Sequence, residues 1–384
     1  MIRLGNIVTA NDGLPNSKGS PSGEAGVVKR LSVIDRFLPV WIILAMVIGL
    51  LLGYFVPGLA TALNFLSFGT VSLPIAIGLL WMMYPVLAKV KYEELGKLRG
   101  EKKMFGVSLT LNWLIGPFLM FGLAWLFLAD LPDYRTGIIL VGLARCIAMV
   151  LIWNMMAGGC GESCAVLVAL NSLFQIVMYS PEAWFFVTYL PTVMGLGAGE
   201  VVEVSILQIA QSVFIFLGIP LIAGMITRFT LMKRRSKEWY DKEFAPRLGP
   251  YALIGLLFTI VVMFSLKGNV ILSLPLDVLR ISAPLITYFL LMFFVSFGLS
   301  YVLKFAYDKT VTLSFTAASN NFELAIAVAI GVFGIGSGQA LAAVVGPLLE
   351  VPILIGLVYV ALWLGQKLYK RKPGETQECE TQDG

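Results

Sequence analysis

From Phe37 to Ala88 the chain carries no charged residue, and one break at Pro57-Gly58 divides this stretch into two apolar runs joined by a short turn. The same alternation of long uncharged runs with charged or Pro/Gly-rich breaks continues to residue 366. It predicts ten membrane-spanning helices, at 37–56, 67–88, 104–129, 136–158, 163–190, 204–227, 249–267, 280–304, 309–334 and 338–366. Each is long enough for a hydrocarbon core of ~30 Å at ~1.5 Å per residue. The runs are apolar on all sides rather than on one stripe, which is the pattern of helices set in lipid and in one another.

Composition agrees with the pattern. Of 384 residues, 58% are hydrophobic and only 13% charged, about half the charge of a soluble domain. This excludes a water-soluble globule, a disordered chain and a disulfide scaffold, since there are four cysteines in all. The net charge of +5 matters less than where the charges lie. With ten spans, 24 of the 28 Lys and Arg residues fall on one side: in the two tails, in 89–103, in 228–247 and at Lys304 and Lys309. Arg135, Lys267 and Arg280 fall on the other, and Arg145 lies inside a span. The positive-inside rule therefore predicts cytoplasmic termini, with residues 1–36 and 368–384 as flexible cytoplasmic tails in a multi-pass cell-membrane protein. The basic loops read as topology determinants in contact with the bilayer, not as a nucleic-acid surface.

The chain also matches itself. Ile77-Gly-Leu-Leu-Trp81 recurs as Ile254-Gly-Leu-Leu-Phe258, and Phe121-Gly-Leu-Ala-Trp125 as Phe297-Gly-Leu-Ser-Tyr301, at offsets of 177 and 176. Both matches join spans five apart, so residues 37–190 and 191–367 read as two five-helix repeats. An odd number of spans makes the second repeat enter the membrane from the opposite side. Inverted repeats place a binding site at their interface, on interrupted helices near mid-membrane. At offset 175, Gly142-Leu-Ala-Arg-Cys146 in span 4 falls on Ala317-Ala-Ser-Asn-Asn321 in span 9, the least lipid-like places in their halves.

Three ionisable residues, Arg145, Glu323 and Glu350, are predicted at mid-depth, where an exposed charge costs at least ~2.5–3.5 kcal/mol. Each must face protein or water; an ion pair such as Arg145 with Glu350 is the purely structural alternative. Cys146 is the one cysteine deep in a span, and a buried cysteine is by default a small hydrophobe. Its setting, beside Arg145 and opposite Ser319, Asn320 and Asn321, makes it a candidate ligand instead. Cys160 and Cys164 sit at the mouth of spans 4 and 5, about 21 Å of helix from Cys146, too far to share an ion with it. Asn154 and Asn171 read as interhelical hydrogen-bonding residues; Asn320, Asn321 and Ser319 are suited to hydrogen-bonding a small polyhydroxylated solute or exposed helix backbone, and are taken as site candidates. The absence of histidine removes His-based hydrolysis and zinc chemistry, and no Gly-rich phosphate loop is present for ATP-driven pumping. No cofactor is implied, and transport must draw on a gradient.

The strings Gly142-Leu-Ala-Arg-Cys-Ile-Ala-Met-Val-Leu-Ile-Trp-Asn154, Val166-Leu-Val-Ala-Leu-Asn-Ser-Leu-Phe-Gln175, Phe315-Thr-Ala-Ala-Ser-Asn-Asn-Phe-Glu-Leu-Ala-Ile-Ala327 and Gly346-Pro-Leu-Leu-Glu-Val-Pro352 resemble the arsenical-resistance permeases, the yeast-type arsenite efflux carriers of the bile acid/arsenite/riboflavin transporter superfamily. The resemblance covers about residues 30–370. It implies an all-α carrier with a panel domain (spans 1, 2, 6, 7) and a core domain in which discontinuous spans 4 and 9 cross. It further implies that Cys146 and Glu323 are needed for transport. Arsenite is the implied substrate, with antimonite as a related one, exchanged for protons through Glu323. One departure is visible: Met155, Met156 and Cys160 stand where members carry acidic residues. A different class, a sodium-coupled organic-anion importer, would use the Asn/Glu cluster of spans 9 and 10 as a cation site and leave Cys146 incidental.

Overall fold

The computed structural model describes residues 38–56, 58–59, 67–68, 71–99, 101–196 and 202–371. The expected N-terminal tail, 1–36, and the C-terminal tail beyond residue 371 lie outside them, whereas 368–371 are described, with Leu368 the last residue of a helix. The chain is a multi-pass helical membrane protein, built of α1 (Leu38–Phe55), α2 (Leu73–Ala88), α3 (Lys102–Phe127), α4 (Pro132–Leu143), α5 (Val150–Met156) and α6 (Gly161–Val193), followed by α7 (Ile206–Arg234), α8 (Ala245–Ser273), α9 (Pro275–Val302), α10 (Tyr307–Ala318), α11 (Phe322–Phe333) and α12 (Gly338–Leu368). Among the described residues, six helical stretches are long and apolar enough to cross a bilayer by themselves. The others are shorter, and four of them, α4, α5, α10 and α11, come as two broken pairs.

Several boundaries differ from the sequence expectation: span 6 runs to Arg234 and not 227, and span 8 begins at Pro275 and not 280. Span 2 begins at Leu73 and not at 67, because Ser67–Phe68 and Val71–Ser72 pair as a two-residue β-ribbon before the helix. Span 7 runs from Ala245 to Ser273, well beyond 249–267, and is continuous at its start with the π-turn Tyr240–Phe244, which accommodates Pro246. Prolines also shape the interiors. The helices widen to π-turns at Leu111–Ile115, Phe185–Tyr189, Phe214–Gly218 and Tyr240–Phe244, each just before Pro117, Pro191, Pro220 or Pro246. The proline ring clashes with the carbonyl one turn back, and one extra residue in the turn relieves it.

The helices pack in two groups. In one, α8 lies against α1 and α2, and α7 against α2. Glycine permits the closest approach: a Cβ on Gly49 would lie 2.7 Å from Phe264 Cβ and 2.8 Å from the Val261 carbonyl oxygen, and one on Gly53 would strike the Ser265 carbonyl. Without a hydrophobic drive between helices in lipid, such small-residue contacts are what hold them together. In the other group α4 packs on α3 and α12, α9 on α3, α10 and α12, and α6 on α10. The first part of α7 meets α6 and α11, joining the groups. The deepest packing surrounds the two broken pairs, where Trp153, Phe289, Phe315 and Phe322 are fully buried.

Candidate functional site

Helix α4 stops at Leu143 and α10 at Ala318, after twelve residues each and 175 positions apart. Neither stop involves proline. In α10 the cause is the run Ser319-Asn320-Asn321, whose short polar side chains compete with helical backbone hydrogen bonds. The two unwound stretches meet as an antiparallel bridge between Arg145 and Asn320. The Asn321 N–H donates to the Ala144 carbonyl at 3.0 Å.

Breaking a helix frees backbone carbonyls, and each one left unpaired in an apolar interior costs ~1–3 kcal/mol. Side chains take them up here. Tyr179 Oη donates to Leu140 O at 2.9 Å, and Asn320 Nδ2 to Val141 O at 2.9 Å and Ala144 O at 3.1 Å. Gln175 holds both polar groups of Arg145, with Nε2 donating to its carbonyl at 2.8 Å and Oε1 accepting its N–H at 3.1 Å. Asn171, Gln175, Tyr179 and Glu182 follow one another on one face of α6 at helical spacing, and all four are buried.

The second halves start at the same place. The Val150 N–H donates to Cys146 Sγ at 3.3 Å, and the Leu324 N–H to Asn321 Oδ1 at 3.0 Å. Asn321 is the N-cap of α11, and Cys146 accepts the first N–H of α5, whose N-cap position is Met149. Glu323 lies in the first turn of α11. It alone among the predicted site residues keeps partial exposure; Cys146, Ser319, Asn320, Asn321, Arg145 and Glu350 are all buried.

The predicted residues form two sets on either side of the crossing. On one, Ser319 Oγ donates to Glu350 Oε1 at 2.6 Å. On the other, Arg145 Nη1 donates to Tyr288 Oη at 2.8 Å. Arg145 and Cys146 are adjacent in sequence but face apart, as the i, i+1 relation requires. The alternative of an Arg145–Glu350 ion pair is not what forms: among the described residues no carboxylate lies within ion-pair distance of Arg145, and its Nη2 has no partner. Asn320 Oδ1 and Asn321 Nδ2 are likewise buried and unpaired.

Several other residues have structural roles. Asn154 bridges Thr312 Oγ1 at 2.9 Å and the Cys160 carbonyl at 3.1 Å, and Asn171 Oδ1 accepts from Trp113 Nε1 at 3.3 Å. Cys160 Sγ accepts the Ser163 N–H at 3.4 Å as the cap of α6, and Cys164 is buried. Three polar residues of the crossing escape sequence reasoning: Gln175, Tyr288 and Glu182. Glu182 is 8% exposed, with Oε2 unpaired and the charge of Arg145 acting on it. Its signal was available, since it is an ionisable residue inside a predicted span.

A charged cluster closes the end of the first helix group nearest the basic loops. The buried Arg228 guanidinium bonds Glu93 from Nε at 2.9 Å and Asp241 from Nη2 at 3.0 Å, with its plane over the Tyr240 ring. Burial works against the Glu93 charge, but the hydrogen bond and charge of Arg228 prevail and hold its carboxyl below the usual range.

Comparison with known proteins accords with this arrangement. Residues 76–274 match the model of the Sodium Bile acid symporter family. The chain is 52% identical over 344 residues, 90% of its length and 93% of the relative's, to the arsenical-resistance protein Acr3 of Corynebacterium glutamicum. It is 32% identical over 344 residues, 87% of its length and 93% of the relative's, to the arsenical-resistance protein Acr3 of Alkaliphilus metalliredigens. A probable sodium/metabolite cotransporter, chloroplastic BASS2 of Oryza sativa subsp. japonica, is 23% identical over 343 residues, 89% of this chain and 71% of the relative. The chain belongs to the sodium bile acid symporter family and, within that superfamily, to the arsenical-resistance permeases.

Proposed function

We propose that the protein is a secondary active transporter that extrudes trivalent arsenic, arsenite and also antimonite, from the cytoplasm across the cell membrane in exchange for protons. The observation that carries this reading is a single thiol, Cys146, set at the crossing of two broken helices among unpaired amide atoms. Trivalent arsenic at neutral pH is As(OH)3, a neutral polyol around a soft centre. One sulfur selects the soft centre, whereas three would trap it. Asn320 Oδ1 is a free acceptor and Asn321 Nδ2 a free donor, which suits hydroxyls that both donate and accept. The names of the two arsenical-resistance relatives support the same substrate.

Alternating access follows from ten spans in two inverted repeats, with α1, α2, α7 and α8 as the panel and the rest as the core. Three observations support that reading. The broken helices α4 and α10 have equal length at one offset, their unwound ends pair with each other, and Cys146 and Asn321, 175 positions apart, each accept a backbone N–H from the first turn of the half-helix that follows. The basic residues then face the cytoplasm with both termini. Glu323, the partly exposed acid of the site, is the proton carrier. One proton moving inward releases ~2.3 kcal/mol per 100 mV, enough at ~1.4 kcal/mol per decade for a roughly fifty-fold outward gradient of a neutral solute.

The test is arsenite uptake by everted vesicles carrying Cys146→Ser or Glu323→Gln, both of which abolish it. Normal uptake by either variant, or sodium-dependent transport insensitive to thiol reagents, overturns the assignment.

A further inference from the structure

Between α2, in the proposed panel, and α3, in the core, the chain runs through Tyr92–Arg99 as an eight-residue 3₁₀ helix. Such runs seldom exceed ~3–4 residues, because their hydrogen bonds are poorly aligned, and a longer one marks a hinge or a segment under strain. Its two ends are held by different bodies. At the first end, Arg228 of α7 bonds Glu93 through both Nε and Nη2, and Nη2 also reaches Asp241 in the turn before α8. Lys237 Nζ lies 3.4 Å from Glu94 Oε1. Tyr92 Oη donates to Leu87 O at 3.0 Å and Tyr240 Oη to Ala88 O at 2.9 Å, so the same cluster closes the last carbonyls of α2. Arg228 is fully buried, and a planar guanidinium bonded along one edge to a carboxylate fixes direction as well as distance.

At the other end the partners belong to the core. Glu101, the residue before α3, pairs with Lys309 in the first turn of α10 at 2.9 Å, and Lys103 Nζ donates to Leu303 O at 2.9 Å. Helix α10 is one of the two that break at the crossing, so this contact ties the linker to the body that carries the site. Between the two clasps Leu95 rests on Met104, Phe105, Val166, Leu167 and Leu313, from α3, α6 and α10. The next residue, Gly96, is exposed, and a Cβ built there meets no atom within 4 Å. Packing therefore does not require glycine at this position; what glycine adds is backbone freedom. We propose that Leu95–Arg99 is the cytoplasmic pivot on which the core turns against the panel, and that Arg228, through Glu93, is the positioning residue that fixes its panel end. Arg228 touches neither arsenic nor the exchanged proton. The inference rests on the division into panel and core, not on the identity of the substrate.

The experiment compares Gly96→Ala, Glu93→Gln and the double variant with the parent, as full-length protein in everted vesicles at matched expression. Two quantities are read: the maximal rate of arsenite uptake, and the arsenite concentration that half-protects Cys146 from N-ethylmaleimide, with Cys160, Cys164 and Cys379 replaced by Ser in every form. Gly96→Ala is expected to lower the maximal rate about two- to fivefold, the scale on which one glycine-to-alanine change alters backbone freedom, and to leave protection unchanged. The added methyl group has open space, so a linker that only connects two helices predicts no loss, and an unchanged rate overturns the pivot. Glu93→Gln is expected to lower the rate on the order of tenfold at unchanged protection, with Glu93→Asp recovering part of it. A shift in protection as large as the loss of rate shows that the clasp acts on the site's own structure, and overturns the positioning role. In the double variant the combined loss is smaller than the product of the two, because both act on one pivot; a full product overturns that common origin. Hydrogen exchange of the purified protein tests the pivot with no substrate present. Amides of Lys91–Glu94 are expected to exchange slowly and those of Leu95–Arg99 fast, and Glu93→Gln brings the first group up to the second; equal protection across Glu94 in the parent refutes the pivot. A parent whose Cys146 is not protected by arsenite refutes the arsenic reading, and hydrogen exchange then decides the pivot alone.

Discussion

Gln175 carries the unwound backbone at Arg145, and its replacement tests whether the crossing is held as the hydrogen bonds indicate. Oε1 accepts the Arg145 N–H at 3.1 Å and Nε2 donates to the Arg145 carbonyl at 2.8 Å, with both residues fully buried. Gln175→Met keeps the length of the side chain and removes both polar atoms. It strands two buried backbone groups, each costing ~1–3 kcal/mol, so a loss of about 2–6 kcal/mol is expected. Tyr179→Phe, one turn away on α6, is the internal scale. It removes one donor, the 2.9 Å bond to Leu140 O, and strands one carbonyl, for about 1–3 kcal/mol. Reversible unfolding of the purified protein in mixed micelles, followed by tryptophan fluorescence, gives both values. Because Arg145 is bonded to Cys146 through the backbone, Gln175→Met also abolishes arsenite uptake by everted vesicles, while Tyr179→Phe retains it. A Gln175→Met variant no less stable than Tyr179→Phe would refute the view that side chains replace the missing helical bonds.

Gly346→Ala places a methyl group into the Phe322 ring, which lies between Asn321 and Glu323, so arsenite transport falls at least tenfold while the protein still inserts, as measured in vesicles with matched expression. Arg135→Lys loses a guanidinium lying 3.7 Å over the Trp125 ring and bonded to the Ala129 carbonyl at 2.6 Å, and unfolding in micelles should show about 1–2 kcal/mol of destabilisation, because an ammonium does not stack as the planar group does. Glu93 has a folded pKa below its ordinary 4.5, so its contribution to stability is full above that value and is lost as pH falls through the folded one. Stability measured from pH 6 to 3 should therefore drop more steeply for the parent protein than for Glu93→Gln; parallel profiles would show that the Arg228 pairing contributes nothing. The discount for solvent screening is real, since Glu93 is 21% exposed.

The parts of this molecule that were legible in the sequence are those governed by the bilayer as solvent. Long uncharged runs read as helices because every backbone polar group in lipid must pair within its own segment. The two exceptions, spans 4 and 9, also showed themselves, as Gly142-Leu-Ala-Arg-Cys146 and Ala317-Ala-Ser-Asn-Asn321, because small and polar residues there made no sense facing lipid. What the sequence did not reveal is which polar atom goes to which partner. Asn320 read as a solute ligand, yet its Nδ2 is spent on Val141 O and Ala144 O, and only Oδ1 is left over. Arg145 invited an acidic partner and has a tyrosine. Gln175 looked unremarkable inside an apolar span, although it supports the crossing. Composition and spacing say that a polar residue is present at a given depth; its rotamer and its partners depend on packing from helices more than 100 residues away.

The same accounting separates structural from functional polar atoms at the crossing. An interrupted helix in a membrane must find donors for its freed carbonyls, and side chains from α6 and the α10–α11 link supply them for Leu140, Val141, Ala144 and Arg145. If the polar residues were there only for that purpose, none of their atoms should remain unpaired in a dry interior, because each orphan costs ~1–3 kcal/mol. Yet Asn320 Oδ1, Asn321 Nδ2 and Arg145 Nη2 are buried without partners, and Glu182 Oε2 joins them. Stability alone would have replaced these atoms with apolar ones. On the proposed function the two amide atoms, Asn320 Oδ1 and Asn321 Nδ2, are the ones that pair with the hydroxyls of a small polar solute, while Arg145 Nη2 lies on the other side of the crossing.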